Sequence, residues 1–216
     1  MLTEDVVKHM LREAGLPVPA EGIATSAEEA RALASGIGYP LAMKIISPDV
    51  PHRAKVGGLA LGIGNEDEVV AKFAELTETV RARVPGASIQ GILLQKMIPP
   101  GPELLLGMSR DTSFGPILTF GMGGILTEAL SQATFAALPV SAQDARHMIE
   151  EVPAARTLLS FNAEAHDAVI DLITSLSDWC VRQGNELLEL DLNPVILHEG
   201  KPMLVDGLAV IAGGMR

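Results

Sequence analysis

A single cysteine in 216 residues leaves no internal disulfide framework to consider. Cys180 sits among helix-patterned apolar residues and reads as a core thiol, in keeping with a reducing compartment. Aromatic residues make up only 3% of the chain, and 16 Lys and Arg stand against 27 Asp and Glu, a net charge of −11. That balance argues against a nucleic-acid surface, though it leaves room for a local basic pocket. No run of about twenty apolar residues exists to span a membrane. The opening segment carries Glu4, Asp5 and Lys8 within its apolar pattern and lacks a basic leader ahead of an apolar run, so it is not read as a signal peptide and the expected location is the cytoplasm. Also missing are a Gly-Lys-Ser/Thr phosphate loop and a Gly-x-Gly-x-x-Gly fingerprint.

What is present is apolar sequence, 48% of the residues, in a chain long enough to bury roughly 70% of its unfolded surface as one or two domains. Thr3 precedes a helical pattern of Val6, Val7, Met10, Leu11 and Ala14, with Gly15 to stop it. Ser26 and Glu29 form a capping-box pattern for a second helix, with Gly36 as its terminator. "PLAMKII" and "GLALGI" read as two strands of a hairpin. Asn65 opens a helix to about Arg83. "SIQGILLQKM", "PELLLGMSRD" and "GPILTFGMGG" read as three strands between Pro/Gly turns. A helical region follows, with a capping start at Ser141 to Asp144 and an apolar stripe of Val169, Leu172, Ile173, Leu176 and Trp179. Two strands around "HEGKP" close the chain. Adjacent hairpins mixed with helices predict an α+β fold.

Three places can carry chemistry. Lys44 lies inside an apolar strand, where an ammonium needs an anionic partner or a route to water; it is either a snorkelling edge-strand lysine or a phosphate contact. The loop after it presents His52, Arg53 and Lys55 beside Gly57 and Gly58, whose backbone N–H groups can approach an anion closely. In "ELDLNPV" and "MLVDG", Glu189, Asp191, Asn193 and Asp206 fall on neighbouring strands, the first three on one face by two-residue alternation. Oxygen ligands of this kind suit Mg²⁺, and a polar outer face of a terminal hairpin is the alternative. The glycine pair before Glu128 is a weaker signal.

Taken in order, "MKIISPDVPH" with "VGG", "RDTSFGP", "FGMGGI" followed by a Glu, and "ELDLNP" resemble the ATP-grasp domain of ADP-forming acyl-CoA synthetases. The resemblance runs from "LREAGLPVP" to Asp206 and implies an ATP-grasp fold of two α+β lobes enclosing a nucleotide site. Approximate bounds are an N-terminal helix at 1–16, a nucleotide-binding lid lobe at 17–97 and a metal-binding lobe at 98–216. It also implies conversion of acyl-CoA, ADP and phosphate into acid, CoA and ATP through a phosphohistidine, with a CoA-binding α subunit as partner. Carried over residue by residue, His52 resembles the phosphoryl-carrying histidine and Lys44 the nucleotide-phosphate lysine. Gln95, Lys96 and Met97 resemble the segment beside adenine, Glu103 the acid near the ribose, and Asn193 with Asp206 the Mg²⁺ pair.

The chain departs from the family pattern in places. "HRAKVGG" replaces "HKSDVGG", putting Lys55 where an acid is usual; Lys96 replaces the glutamate of "QEM"; and Ala136 stands where "SFRxAPL" has an arginine. Loss of an arginine near phosphates would remove electrostatic stabilisation, so Mg-nucleotide binding is expected more firmly than turnover. Two other readings are therefore kept: a nucleotide-binding regulatory or scaffold subunit without turnover, and an ATP-grasp carboxylate ligase that forms an acyl-phosphate.

Overall fold

The computed structural model describes residues 1–50, 52–124 and 133–213. They form two compact units, one of residues 1–18 with 98–213 and one of residues 19–97. Helix α1 (Glu4–Glu13) starts the larger unit. Glu4, Val7, Lys8 and Leu11 are buried along it, while Val6, Met10 and Ala14 pack at the margin of the core. Thr3 occupies the N-cap position without a side-chain cap bond.

The smaller unit contains β1 (Glu21–Ala24), α2 (Ala27–Ile37), β2 (Leu41–Ile46), β3 (Leu59–Ile63), α3 (Glu66–Arg83) and β4 (Gly91–Lys96). Its antiparallel sheet runs β1-β4-β2-β3. Asn65 caps α3 by accepting the Glu68 N–H at 3.0 Å. Ser26 likewise accepts from Glu29, but the Glu29 carboxylate turns back to the Thr25 N–H and hydroxyl, so the expected box is only half formed. Gly36 lies within α2, and Gly38, at φ 82°, is the residue that ends it. Leu41, Met43, Ile45, Ile92 and Leu94 pack with Ala30 and Ala34 of α2 and Val69, Leu76 and Val80 of α3. Strand alternation turns Ala42, Lys44, Ile46, Leu93 and Gln95 to the sheet's other face, where they too are buried.

In the larger unit β5 (Glu103–Asp111), β6 (Gly115–Met122) and β7 (Ala133–Ala137) precede three helices, α4 (Ala142–Glu151), α5 (Pro153–Ser160) and α6 (Ala163–Gln183). Strands β8 (Leu187–His198), β9 (Lys201–Leu204) and β10 (Leu208–Ile211) follow. The sheet order is β10-β8-β5-β6-β7, with β9 on the end of β8. Ser141 and Asp144 form a reciprocal capping box on α4. Val169, Leu172, Ile173, Leu176 and Trp179 are all buried on α6, packing against a core that includes Leu104, Leu106, Met108, Leu118, Phe120 and Leu192. Each such side chain contributes about 1.5–3 kcal/mol by leaving water.

Two elements differ from the sequence expectation. The region after β6 opens with an edge strand, β7, before any described helix. The C-terminal hairpin also gains a third strand, β10, which leaves Asp206 in the 205–207 link between β9 and β10 rather than on a strand.

Candidate functional site

In the smaller unit, Lys44 occupies β2, a central strand, and is 7% exposed. This rules out a lysine snorkelling from a sheet edge. Its cross-strand neighbour is Leu93, and two residues along the same register Ala42 faces Gln95, which is 1% exposed. Lys44 and Gln95 thus share the face turned away from α2 and α3. Lys96 does not join them. Alternation directs it to the opposite side, where its ammonium donates to the Tyr39 carbonyl, and its backbone N–H bonds to Ala20 at 2.8 Å. Met97 is held through both its N–H, on Pro40, and its sulfur, which accepts from Gly62.

The loop after β2 is anchored before it reaches His52. Val50 and Ser47 are buried, the Ser47 hydroxyl accepts the Asp49 N–H, and Asp49 in turn accepts the Ser88 N–H at 2.8 Å. His52 then begins a 3₁₀ turn, Arg53–Val56, and both His52 and Lys55 are exposed while Arg53 is half-buried. The expected role of the glycines changes here. The Gly57 N–H bonds to Ala54 and the Gly58 N–H to Arg53 at 2.8 Å, so these donors close the turn instead of facing an anion. Gly57 adopts φ 71°, and a Cβ there would come 2.9 Å from Thr79 of α3. Its glycine is required by this left-handed close approach.

In the larger unit, the sheet face turned away from the described core helices collects the acidic residues. The register sets Gly107 between Thr119 and Asp191, Ser109 between Ile117 and Glu189, and Leu208 beside Asp191. Asp206 lies opposite Asn193. Leu204 pairs with Val195, the Val205 N–H bonds to the Pro194 carbonyl at 3.4 Å, and Leu208 pairs with Asp191, bracketing the intervening pair. Partial burial, then the neighbouring Asp206 and Glu189 charges, push the Asp191 carboxyl above its ordinary range.

Among the described residues no group of three or more His, Cys, Asp and Glu is placed to hold a metal ion. The pair Asn193 and Asp206 instead supplies one amide and one carboxylate oxygen beside a repelling carboxylate. A hard cation that keeps water and takes few protein oxygens fits that donor set, because it relieves the repulsion. One Asp206 oxygen already accepts the Gly207 N–H at 2.9 Å, which orients the carboxylate.

Glu103 starts β5, and its carbonyl accepts the Gly123 N–H at 2.8 Å. Its carboxylate lies against Gly124 so closely that a Cβ there would sit 2.1 Å from Oε2. Together these residues line an open groove of about 860 Å³ with Met122, Pro153 and Leu158. Glu128 lies outside the described residues. Ala136, where the family pattern has an arginine, lies on β7. It pairs with Leu118 and packs against the core on the helix side, so its side chain does not share the face of Asp191 and Asn193.

Residues 1–211 match the family model for the ATP-grasp domain. The β subunit of the ADP-forming acetate–CoA ligase I of Pyrococcus furiosus is 33% identical over 213 residues, 97% of this chain and 91% of that subunit. An ADP-forming acetate–CoA ligase I of Archaeoglobus fulgidus is 40% identical over 200 residues, but the chain spans only 29% of its length. Among solved structures, the dinucleotide forming acetyl-coenzyme A synthetase 1 of Ca. Korarchaeum cryptofilum, in complex with coenzyme A and Ca-AMPCP, superposes with a TM-score of 0.91 at 37% identity, covering 97% of this chain and 93% of that one. The chain therefore belongs to the ATP-grasp domain family, among the relatives of the ADP-forming acetate–CoA ligase β subunits.

Proposed function

We propose that the chain is the nucleotide-binding subunit of an ADP-forming acyl-CoA synthetase and works with a CoA-binding α subunit. The reaction converts acyl-CoA, ADP and phosphate into free acid, CoA and ATP. The observation that supports this reading is that the strand register on either side of the 205–207 link brackets Asp206 with Asn193, near Asp191, so that the two could offer a hard cation a carboxylate and an amide oxygen. Membership in a family whose solved relatives bind Ca-AMPCP and Mg-AMPPCP supports it.

In this reading Lys44 neutralises nucleotide phosphate charge, and Arg53 and Lys55 do the same for the phosphoryl group in transit. Gln95 and the backbone of Lys96 and Met97 border adenine, Glu103 accepts from the ribose hydroxyls, and Gly57 and Gly58 shape the histidine loop. Asn193 and Asp206 would hold Mg²⁺, which when bound would supply neutralisation of phosphate charge. His52 carries the phosphoryl group on a ring nitrogen. In the transfer to ADP the N–P bond breaks as a β-phosphate oxygen forms the new O–P bond. The alternative is a nucleotide-binding subunit without turnover, favoured by Ala136 and Lys55 standing where the family has an arginine and an acid; retained Mg-ADP binding with no label on His52 would support it.

The test is incubation with γ-labelled Mg-ATP. An acid-labile label is expected on the wild-type chain and none on His52→Ala. A label that persists in His52→Ala, or that appears on His9, His147, His166 or His198, overturns the relay assignment.

A further inference from the structure

Lys8 and Glu4 are 0% and 2% exposed, an unusual depth for two ionisable side chains on a terminal helix. The Lys8 ammonium lies 2.8 Å from Glu4 Oε1 and donates to the Val205 carbonyl at 3.3 Å. Val205 begins the 205–207 link that carries Asp206, and this link has no strand ladder of its own. The N-terminal segment also grips both ends of the link. The Leu204 N–H bonds to Pro17 and the Leu2 N–H to Ala209, each at 2.8 Å. At its C-terminal end Gly207 is packed so that an added Cβ would meet Val7 at 3.3 Å and Leu192 at 3.2 Å.

Burying an ion pair costs several kcal/mol of desolvation per charge, and apolar side chains of similar volume often give equal or greater stability. Stability alone therefore does not account for the pair. What an ammonium does, and a methyl group does not, is hold a carbonyl oxygen. Glu4 offsets its charge, so the link is ordered without leaving a net cation beside a cation site.

We propose that Lys8 is a positioning residue for the metal site, holding Val205 so that the adjacent Asp206 carboxylate is preset opposite Asn193. The proposal rests on the assignment of Asp206 to Mg²⁺. Single replacement of Lys8 would strand the Glu4 charge and unfold the helix contact, so the informative variant is Glu4→Leu/Lys8→Met. ADP binding is titrated with and without Mg²⁺ in wild type, this double variant and Asp206→Asn, alongside thermal unfolding.

The expected result is a folded double variant whose metal-free ADP affinity is unchanged, while the affinity gained on adding Mg²⁺ shrinks about tenfold, as for other residues that orient metal ligands. A full Mg²⁺ gain in the double variant, with the gain lost in Asp206→Asn, overturns the role of Lys8 alone. A full gain in Asp206→Asn overturns the metal assignment and this proposal with it. Hydrogen exchange on the wild-type chain gives an independent answer should the double variant not fold. Adding Mg²⁺ to the ADP-bound protein is expected to slow exchange both in 205–207 and in α1, and slowing confined to 205–207 overturns the proposal.

Discussion

Replacing Lys44 with Met removes its charge and its hydrogen-bonding capacity while keeping an unbranched apolar stem. The side chain is 7% exposed on a strand flanked on both sides, with Leu93 and Leu59 as cross-strand neighbours, so methionine's unbranched stem fills the same apolar slot. A charge-assisted hydrogen bond to phosphate contributes about 1.5–3 kcal/mol, towards the upper end where water is excluded. The expected weakening of Mg-ADP binding is therefore about 10- to 150-fold. Isothermal titration measures it, and circular dichroism with a thermal melt establishes that the four-stranded sheet remains intact. A folded variant whose dissociation constant stays within about twofold of wild type would refute the phosphate role, since that corresponds to only about 0.4 kcal/mol. Lys44 would then serve only the sheet.

Asp191 gives a pH signature. Because its folded carboxyl titrates above the ordinary aspartate value, the folded state holds a proton that the unfolded chain has already released. The stability of the metal-free protein should fall as pH rises from that ordinary value through the raised one, then level off. Melts in chelator between about pH 4 and pH 7 should show this slope in wild type and a flatter one in Asp191→Asn. An identical slope in both would remove Asp191 from the repelling cluster. Cys180, whose thiol is pushed up to about 12 by burial, should resist a thiol-reactive disulfide reagent at neutral pH until the protein is unfolded. Rapid labelling of the native chain would contradict its core position.

The capping residues Asn65, Ser141 and Asp144 and the α6 stripe were legible in sequence because each signal is local, contained within one helix or its first turn. Strands β1 and β7 were not. "EGIA" and "ATFAA" are short and built largely of small residues, and each is an edge strand that pairs on one side only. The true setting of Lys44 depends on β4, whose Leu93 lies far along the chain, and no local pattern announces that β2 is central. Residue type brought out Glu189, Asp191, Asn193 and Asp206 together, and the family resemblance singled out Asn193 and Asp206. Their alignment needed the register on either side of the 205–207 link. Lys8 was missed because a lysine in a helix is ordinarily solvent-facing. Its signal was the Glu4 four residues earlier, next to the apolar Val7 and Leu11.

The central claim, that this chain by itself holds a metal-bound nucleotide, is tested most directly by titrating ADP into the purified chain with Mg²⁺ and again with chelator. The account predicts saturable binding to a single site with Mg²⁺, weakened about tenfold or more, near 1.4 kcal/mol, when the metal is withheld. It predicts the same loss in Asp206→Asn with Mg²⁺ present. Absence of binding at about millimolar ADP, an affinity of only about −4 kcal/mol, would contradict the account at its base.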